Sequence, residues 1–209
     1  MGFEINTSEY VKLNRSFYER EDVVLVAKEL LGKYLITNLN NILTIGKIVE
    51  TEAYCGRNDK ACHAHNKRTP RTEIMYGRGG HAWVYLCYGI HHLFNVVTNR
   101  EGLADAVLIR AIEPVFGLED MKQRRSFTSA KLTSGPGTLS QAMGICAHMT
   151  GYDLLKDKIW IADGHNKNFE IETDVRIGVD YAGKDAMKPW RFFIKNNLNV
   201  SRNKKARED

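Results

Sequence analysis

Glu50 and Glu52 stand two residues apart in Ile48-Val49-Glu50-Thr51-Glu52-Ala53-Tyr54, a run whose β-branched and aromatic residues mark it as a strand. Strand alternation puts Glu50, Glu52 and Tyr54 on one face. Two carboxylates held this close raise each other's proton affinity, which suits general acid–base work. The same spacing also fits an exposed strand face with solvated acids. Two other chemistries are suggested by residue type. Cys55, Cys62, His63 and His65, with His91 and His92 further on, are potential metal ligands. Adjacent Cys62 and His63 rarely ligate one ion, and the Cys-x-x-Cys pairs of structural zinc sites are absent, so no metal is expected. A glutamate pair can also hydrolyse sugars, but carboxylates two residues apart on one strand make an unusual acid/base pair for that reaction.

The elements that must position these residues follow from periodicity and punctuation. Asp22 precedes apolar residues at Val23, Val26, Ala27, Leu30 and Leu31, and Gly32 follows them. This predicts a capped amphipathic helix over 23–31. Residues 33–37 and 43–54 read as strands joined by an asparagine-rich turn with Asn38, Asn40 and Asn41. Residues 55–80 carry Gly56, Pro70, Gly77, Gly79 and Gly80 with little periodicity; a loop of that length is functional or disordered. Strands are predicted over 82–88, 93–98 and 106–112, with a turn at 99–102. Short helices are predicted over 118–125 and 136–143, then short strands over 159–162, 169–172, 176–179 and 191–194. Strands dominate the middle and helices flank it. The fold class is therefore α+β, a single compact domain with a mostly antiparallel curved β-sheet flanked by helices. The domain spans 1–209, with 1–16 and 201–209 as loosely ordered ends.

The chain has 209 residues, 43% hydrophobic and 26% charged, enough to bury a core without disulfide or metal staples. No apolar run is long enough for a membrane span, and no secretory signal opens the sequence, so the four cysteines read as free thiols of a cytoplasmic protein. The net charge is +5, and its distribution is uneven. Arg57, Lys60, Lys67, Arg68, Arg71 and Arg78 face only Asp59 and Glu73 in that stretch, and Lys122, Arg124, Arg125 and Lys131 form a second cluster. Such clusters suit a polyanion such as nucleic acid, whether the protein is an enzyme or a non-catalytic binding module.

Beyond the glutamate strand come Val84-Tyr85-Leu86-Cys87-Tyr88-Gly89, Phe94-Asn95-Val96-Val97, Val107-Leu108-Ile109-Arg110-Ala111-Ile112-Glu113-Pro114, Ser134-Gly135-Pro136-Gly137 and Arg176-Ile177-Gly178-Val179. In this order and spacing the chain resembles the alkyladenine (3-methyladenine) DNA glycosylases, also called methylpurine-DNA glycosylases, from about residue 17 to 195. The resemblance implies a cofactor-free, monofunctional hydrolase that flips alkylated or deaminated purines out of duplex DNA and acts as a monomer. It casts Glu52 as the general base that deprotonates water for attack at C1′, with Arg110 and the Ile177 carbonyl holding that water. Tyr54 and His63 would sandwich the extruded base, Tyr85 would form a third wall, and Tyr88 would enter the duplex. Asn95 would crowd the 2-amino group of guanine. Glu50 inherits no role and reads as a solvated or helper acid. Many relatives carry lysine where this chain has Thr138, so one phosphate contact is missing; Lys131 and helix amides remain nearby. Physics favours the same scheme. Extrusion costs a few kcal/mol of unstacking, and each aromatic stack returns about 1–3 kcal/mol. A wedge at Tyr88 would keep the base from returning.

Overall fold

The Asp22 carboxylate accepts from the Leu25 amide at 3.0 Å and starts the first long helix. In the computed structural model, which describes residues 10–65, 67–125, 131–164 and 168–201, that helix, α2, runs Val23–Leu30 after a short turn, α1, at Arg15–Tyr18. It ends one residue earlier than predicted: Leu31 is extended and Gly32 takes a positive φ of 79°. Its buried face, Val23, Val26, Ala27 and Leu30, packs on the strand that carries the glutamates.

Among the described residues nine strands form one antiparallel sheet: β1 (Val11–Lys12), β2 (Tyr34–Leu39), β3 (Ile42–Cys55), β4 (Ala82–Cys87), β5 (His91–Thr98), β6 (Asp105–Phe116), β7 (Ile159–Asp163), β8 (Ile171–Asp174) and β9 (Arg191–Ile194). The main order is β1-β7-β2-β3-β6-β5-β4, and β9 pairs with both β3 and β8. Asn40 and Asn41 both have positive φ and close β2 onto β3, as an asparagine-rich two-residue hairpin does. β3 is the longest strand. Its first half pairs with β2, Glu50–Glu52 pair with β9, and β6 runs along its other edge. Helix α3 (Leu118–Arg125) packs on α4 (Pro136–Ala142), and α4 covers β5 and β6.

Most predicted strands are present with shifted ends, and the helices over 118–125 and 136–143 lie as read. Several readings are refined. Of the expected loose end over 1–16, residues 10–16 are ordered, with Val11 paired to Asp163 and Arg15 to Asp153, and 1–9 lie outside the described residues. Residues 176–179 are not a strand, because Arg176 is drawn into a buried ion pair and Gly178 turns the chain at φ 79°. Residues 55–65 and 67–80 form an ordered loop with a 3-10 turn at Glu73–Tyr76. Of the expected loose C-terminal end, Ser201 is instead buried, and 202–209 lie outside the described residues. No described helix is long and apolar enough to cross a membrane.

The long loop begins at Gly56, whose amide donates to the Ala104 carbonyl at 2.9 Å and to Asp105 Oδ1 at 3.1 Å. A Cβ there would sit 2.3 Å from the Ala104 oxygen. Because that neighbour is backbone, it cannot rotate away. Gly56→Ala should therefore cost about 1–3 kcal/mol, the range for overpacking, measured as a lower urea midpoint with an unchanged m-value.

Candidate active site

β3 and β6 pair with two irregular stretches, one at Ile45–Gly46 and one where the charged residues meet. Ile48 faces Ile112, Glu50 faces Ala111 and Thr51 faces Ile109, so Val49 and Arg110 have no direct partner. At this irregularity Arg110 spans both glutamates: its Nε lies 2.9 Å from Glu50 Oε1 and its Nη1 lies 3.2 Å from Glu52 Oε1. Glu50 and Glu52 are both 0% exposed. The reading of Glu50 as a solvated acid is thus corrected, since β6 and β9 close over it. Burial would raise the Glu50 carboxyl, but Arg110, Arg191 and Ser201 together hold it below the ordinary carboxylate range.

Two hydrogen bonds and one ion pair hold Glu52. The Ile177 amide donates to Oε1 at 2.8 Å, beside Arg110, and the Tyr54 hydroxyl donates to Oε2 at 2.6 Å. The Ile177 group that touches Glu52 is its N–H rather than its carbonyl. Burial, and next the adjacent Glu52 carboxylate, push the Tyr54 phenol well above its ordinary value, so it stays a donor. Burial disfavours the charged form of Arg110, yet Glu52 and Glu50 raise its pKa and keep it cationic.

In front of this carboxylate lies a cavity of about 590 Å³ lined by Tyr54, His63, Arg71, Tyr85, Tyr88, Arg110 and Ile177, with Gly135–Thr138 on one side and Gly178, Val179 and Tyr181 on another. Six of the predicted site residues therefore share one wall system, and Glu52 sits directly behind three of them. His63 packs 4.9 Å from Tyr85 and 5.4 Å from Trp83, centroid to centroid. His63 faces the cavity with an exposed edge, but its crowded setting and then the Arg71 charge lower its pKa below 6.5, which keeps it neutral at pH 7. Asn95 does not line the cavity. Its Nδ2 donates to the Trp83 and Leu93 carbonyls at 3.1 and 3.2 Å, so the amide is spent on the wall behind the pocket. A larger cleft of about 720 Å³ lies on another face, among Asn38, Arg124, Cys146, His148 and Lys158, but its walls hold no carboxylate.

A profile described as methylpurine-DNA glycosylase matches residues 16–198. The chain belongs to the methylpurine-DNA glycosylase family. It is 48% identical over 201 residues to a "Putative 3-methyladenine DNA glycosylase" of Clostridium acetobutylicum, covering 91% of this chain and 98% of the relative. Proteins with the same description from Natranaerobius thermophilus (47% identity, 92% and 100% coverage) and Carboxydothermus hydrogenoformans (50%, 91% and 98%) match equally broadly. The enzyme is accordingly a hydrolase of N-glycosyl bonds in damaged DNA, acting in base excision repair.

The glycosylase's cations are less free than their spacing along the chain suggested. Arg57 pairs with Asp105, Arg68 with Glu73, Arg78 with Glu19 and Lys122 with Glu119. Lys60, Lys67 and Arg71 make no ion pair among the described residues, and Arg71 lies 4.8 Å over the Tyr85 ring. The Thr138 hydroxyl donates back to the Gly135 carbonyl at 2.8 Å and caps its own turn. The four cysteines are free, and no group of His, Cys, Asp and Glu among the described residues is arranged to hold a metal.

Several supports of the site were not singled out from the sequence. Trp83 is buried against His63 and Tyr85, and its indole donates to the Arg71 carbonyl at 3.1 Å. Its place two residues before Tyr85 on β4 was the available signal. Asp59 and Arg176 form a fully buried pair 117 residues apart that no local pattern announces. Arg176 also donates to the Ala53 carbonyl at 2.9 Å, which ties the Ile177 turn to β3 and aims its amide at Glu52. Asp59→Asn would leave that guanidinium buried without a counter-charge. Breaking such pairs costs about 3–5 kcal/mol, so the variant should unfold at clearly lower denaturant; wild-type stability would mean that the pair contributes nothing to the turn.

Proposed function

We propose that the enzyme extrudes alkylated or deaminated purines from duplex DNA into this cavity and cleaves them by water attack at C1′, with Glu52 as the base. The observation that carries the reading is a fully buried carboxylate held by two hydrogen bonds and an arginine behind an aromatic-walled cavity. An ionised carboxylate offers about four acceptor positions. Hydrogen bonds fill one position on Oε1 and one on Oε2, and Arg110 pairs with Oε1, which leaves a position on Oε2 for the proton of the reacting water. Tyr54, Arg110 and Ile177 touch Glu52 and also line the cavity, so the carboxylate meets the cavity through them. Water oxygen then bonds to C1′, its proton passes to Glu52, and the electrons of the C1′–N bond go to the purine. For a ring-alkylated purine those electrons neutralise a positive charge, so its departure needs no acid.

Neutral His63 suits the same substrate, because an imidazolium would repel a cationic purine, whereas neutral aromatic faces attract it. Choice among 3-methyladenine, 7-methylguanine, hypoxanthine and ethenoadenine then rests on cavity shape, with Asn95 acting through the wall it braces.

Tyr88 is the proposed wedge. It is 92% exposed at the tip of the β4–β5 hairpin, beside Ile90 at 71%. The Ile90 amide donates to the Cys87 carbonyl at 3.2 Å, and Tyr88 and Gly89 both have positive φ, a turn that ordinarily takes Asn-Gly. Holding a tyrosine in that conformation costs about 1–3 kcal/mol, and such strain clusters where side chains act on ligands.

Glu52→Gln should lower single-turnover excision of 7-methylguanine by about 100- to 10,000-fold while affinity for the abasic product duplex is retained. Retention of more than roughly a tenth of the wild-type rate, well outside that range, would remove Glu52 from the role. Tyr88→Ser should slow excision of hypoxanthine more from a thymine-paired duplex than from a mismatched one, since a wedge acts only through its preference for the extruded state. Equal fractional losses on the two duplexes would leave Tyr88 a turn residue.

A further inference from the structure

We infer that Glu50 is a positioning residue: it draws one edge of Arg110 away from Glu52, and Ser201 fixes it in place to do so. The inference rests on Glu52 being the base. Glu50 Oε1 accepts from Arg110 Nε at 2.9 Å, Arg191 Nε at 2.7 Å and Ser201 Oγ at 2.8 Å, while Oε2 accepts from the Ser201 amide at 2.7 Å. Every contact is buried, and the donors come from β6, β9 and the segment beyond β9. Arg110 in turn divides its three nitrogens among Glu50, Ser201 Oγ (3.3 Å, Nη2) and Glu52 (3.2 Å, Nη1).

A guanidinium with one carboxylate partner closes on it with two parallel hydrogen bonds. Such a fork on Glu52 would occupy both of its oxygens and leave no acceptor for a water proton. Glu50 prevents this by binding the Nε edge. With both acids ionised, Glu50 and Glu52 balance Arg110 and Arg191, so the buried cluster carries no net charge. Arg191 continues outward to half-exposed Asp174 at 3.0 Å and to the Ser201 carbonyl at 3.1 Å. The remaining charged or titratable groups facing Glu52 are Tyr54 on its own strand, Tyr85 from β4, and Arg176 and Tyr181 from the turn after β8. None of them contacts Glu50, so its action is confined to Arg110, Arg191 and Ser201.

The test is a double-mutant cycle read by single-turnover excision of 7-methylguanine and by affinity for abasic-product DNA. Glu50→Gln keeps the shape but loses the charge that competes for Arg110. It should slow excision about 10- to 100-fold, the range for removing a group that orients a functional ligand. Abasic-product affinity should stay within about twofold. In an Arg110→Gln background no guanidinium remains to be redirected, so adding Glu50→Gln should change the rate by less than about twofold, the limit for sites that do not interact. A wild-type rate in Glu50→Gln, or the same loss in both backgrounds, would overturn the inference. If Glu50→Gln does not fold, Ser201→Ala enters the same cycle, with a smaller loss expected only where Arg110 is present; equal effects in both backgrounds would again overturn it. Glu52→Gln, run alongside, separates the two ideas. A dead Glu52→Gln beside an unimpaired Glu50→Gln defeats the positioning role alone, while an active Glu52→Gln defeats the base assignment itself.

Discussion

A carboxylate taken out of water must be paired or protonated, and this protein buries two of them two residues apart on one strand. Arg110 is the answer to that constraint, and much of the architecture follows from seating it. β3 must be long enough to pair with β2 at one end and offer Glu50 and Glu52 to β6 and β9 at the other. The β3–β6 ladder is interrupted at that level, where the guanidinium enters between the acids. β9 brings a second arginine, and the chain beyond it returns to supply Ser201. A second buried pair, Asp59 with Arg176, locks the turn whose amide completes the shell around Glu52.

The aromatic side of the site depends on a different balance. Tyr54 serves both halves, with its hydroxyl on Glu52 and its ring against the Arg176 guanidinium at 4.9 Å. Trp83 is the inner member of a three-ring cluster and gives His63 and Tyr85 a rigid backing. Asn95 strengthens that backing from below by satisfying two carbonyls. The wall is therefore preorganised, while the hairpin tip that carries Tyr88 projects into solvent.

Local signals were readable wherever one short stretch decides the outcome. Asp22 and Gly32 bracket α2, Asn40 and Asn41 turn β2 onto β3, and Arg191–Ile194 forms the short strand expected over 191–194. Readings that failed depended on remote partners. Arg176–Val179 looks like a strand by composition, but Asp59, 117 residues away, claims the arginine. Charge counted along the loop overstated the free cations, because Arg57 and Arg78 find acids 48 and 59 residues distant. Glu50 looked solvated because nothing near it in sequence announces Arg191 or Ser201. Asn95, by contrast, spends its amide on two nearby carbonyls, those of Trp83 and Leu93.

Ser201 has a consequence for the order in which the molecule is made. Glu50 leaves the ribosome early, whereas Arg191 and Ser201 follow 141 and 151 residues later. At about 5–20 residues per second that interval is roughly 8–30 s. During it the carboxylate lacks two of its partners and cannot be sealed away from water. The β3–β6 seam must therefore stay hydrated, or loosely docked, until the final strand arrives. Closure of the catalytic layer therefore waits for β9 and Ser201, and its long-range contacts belong among the slow steps of folding.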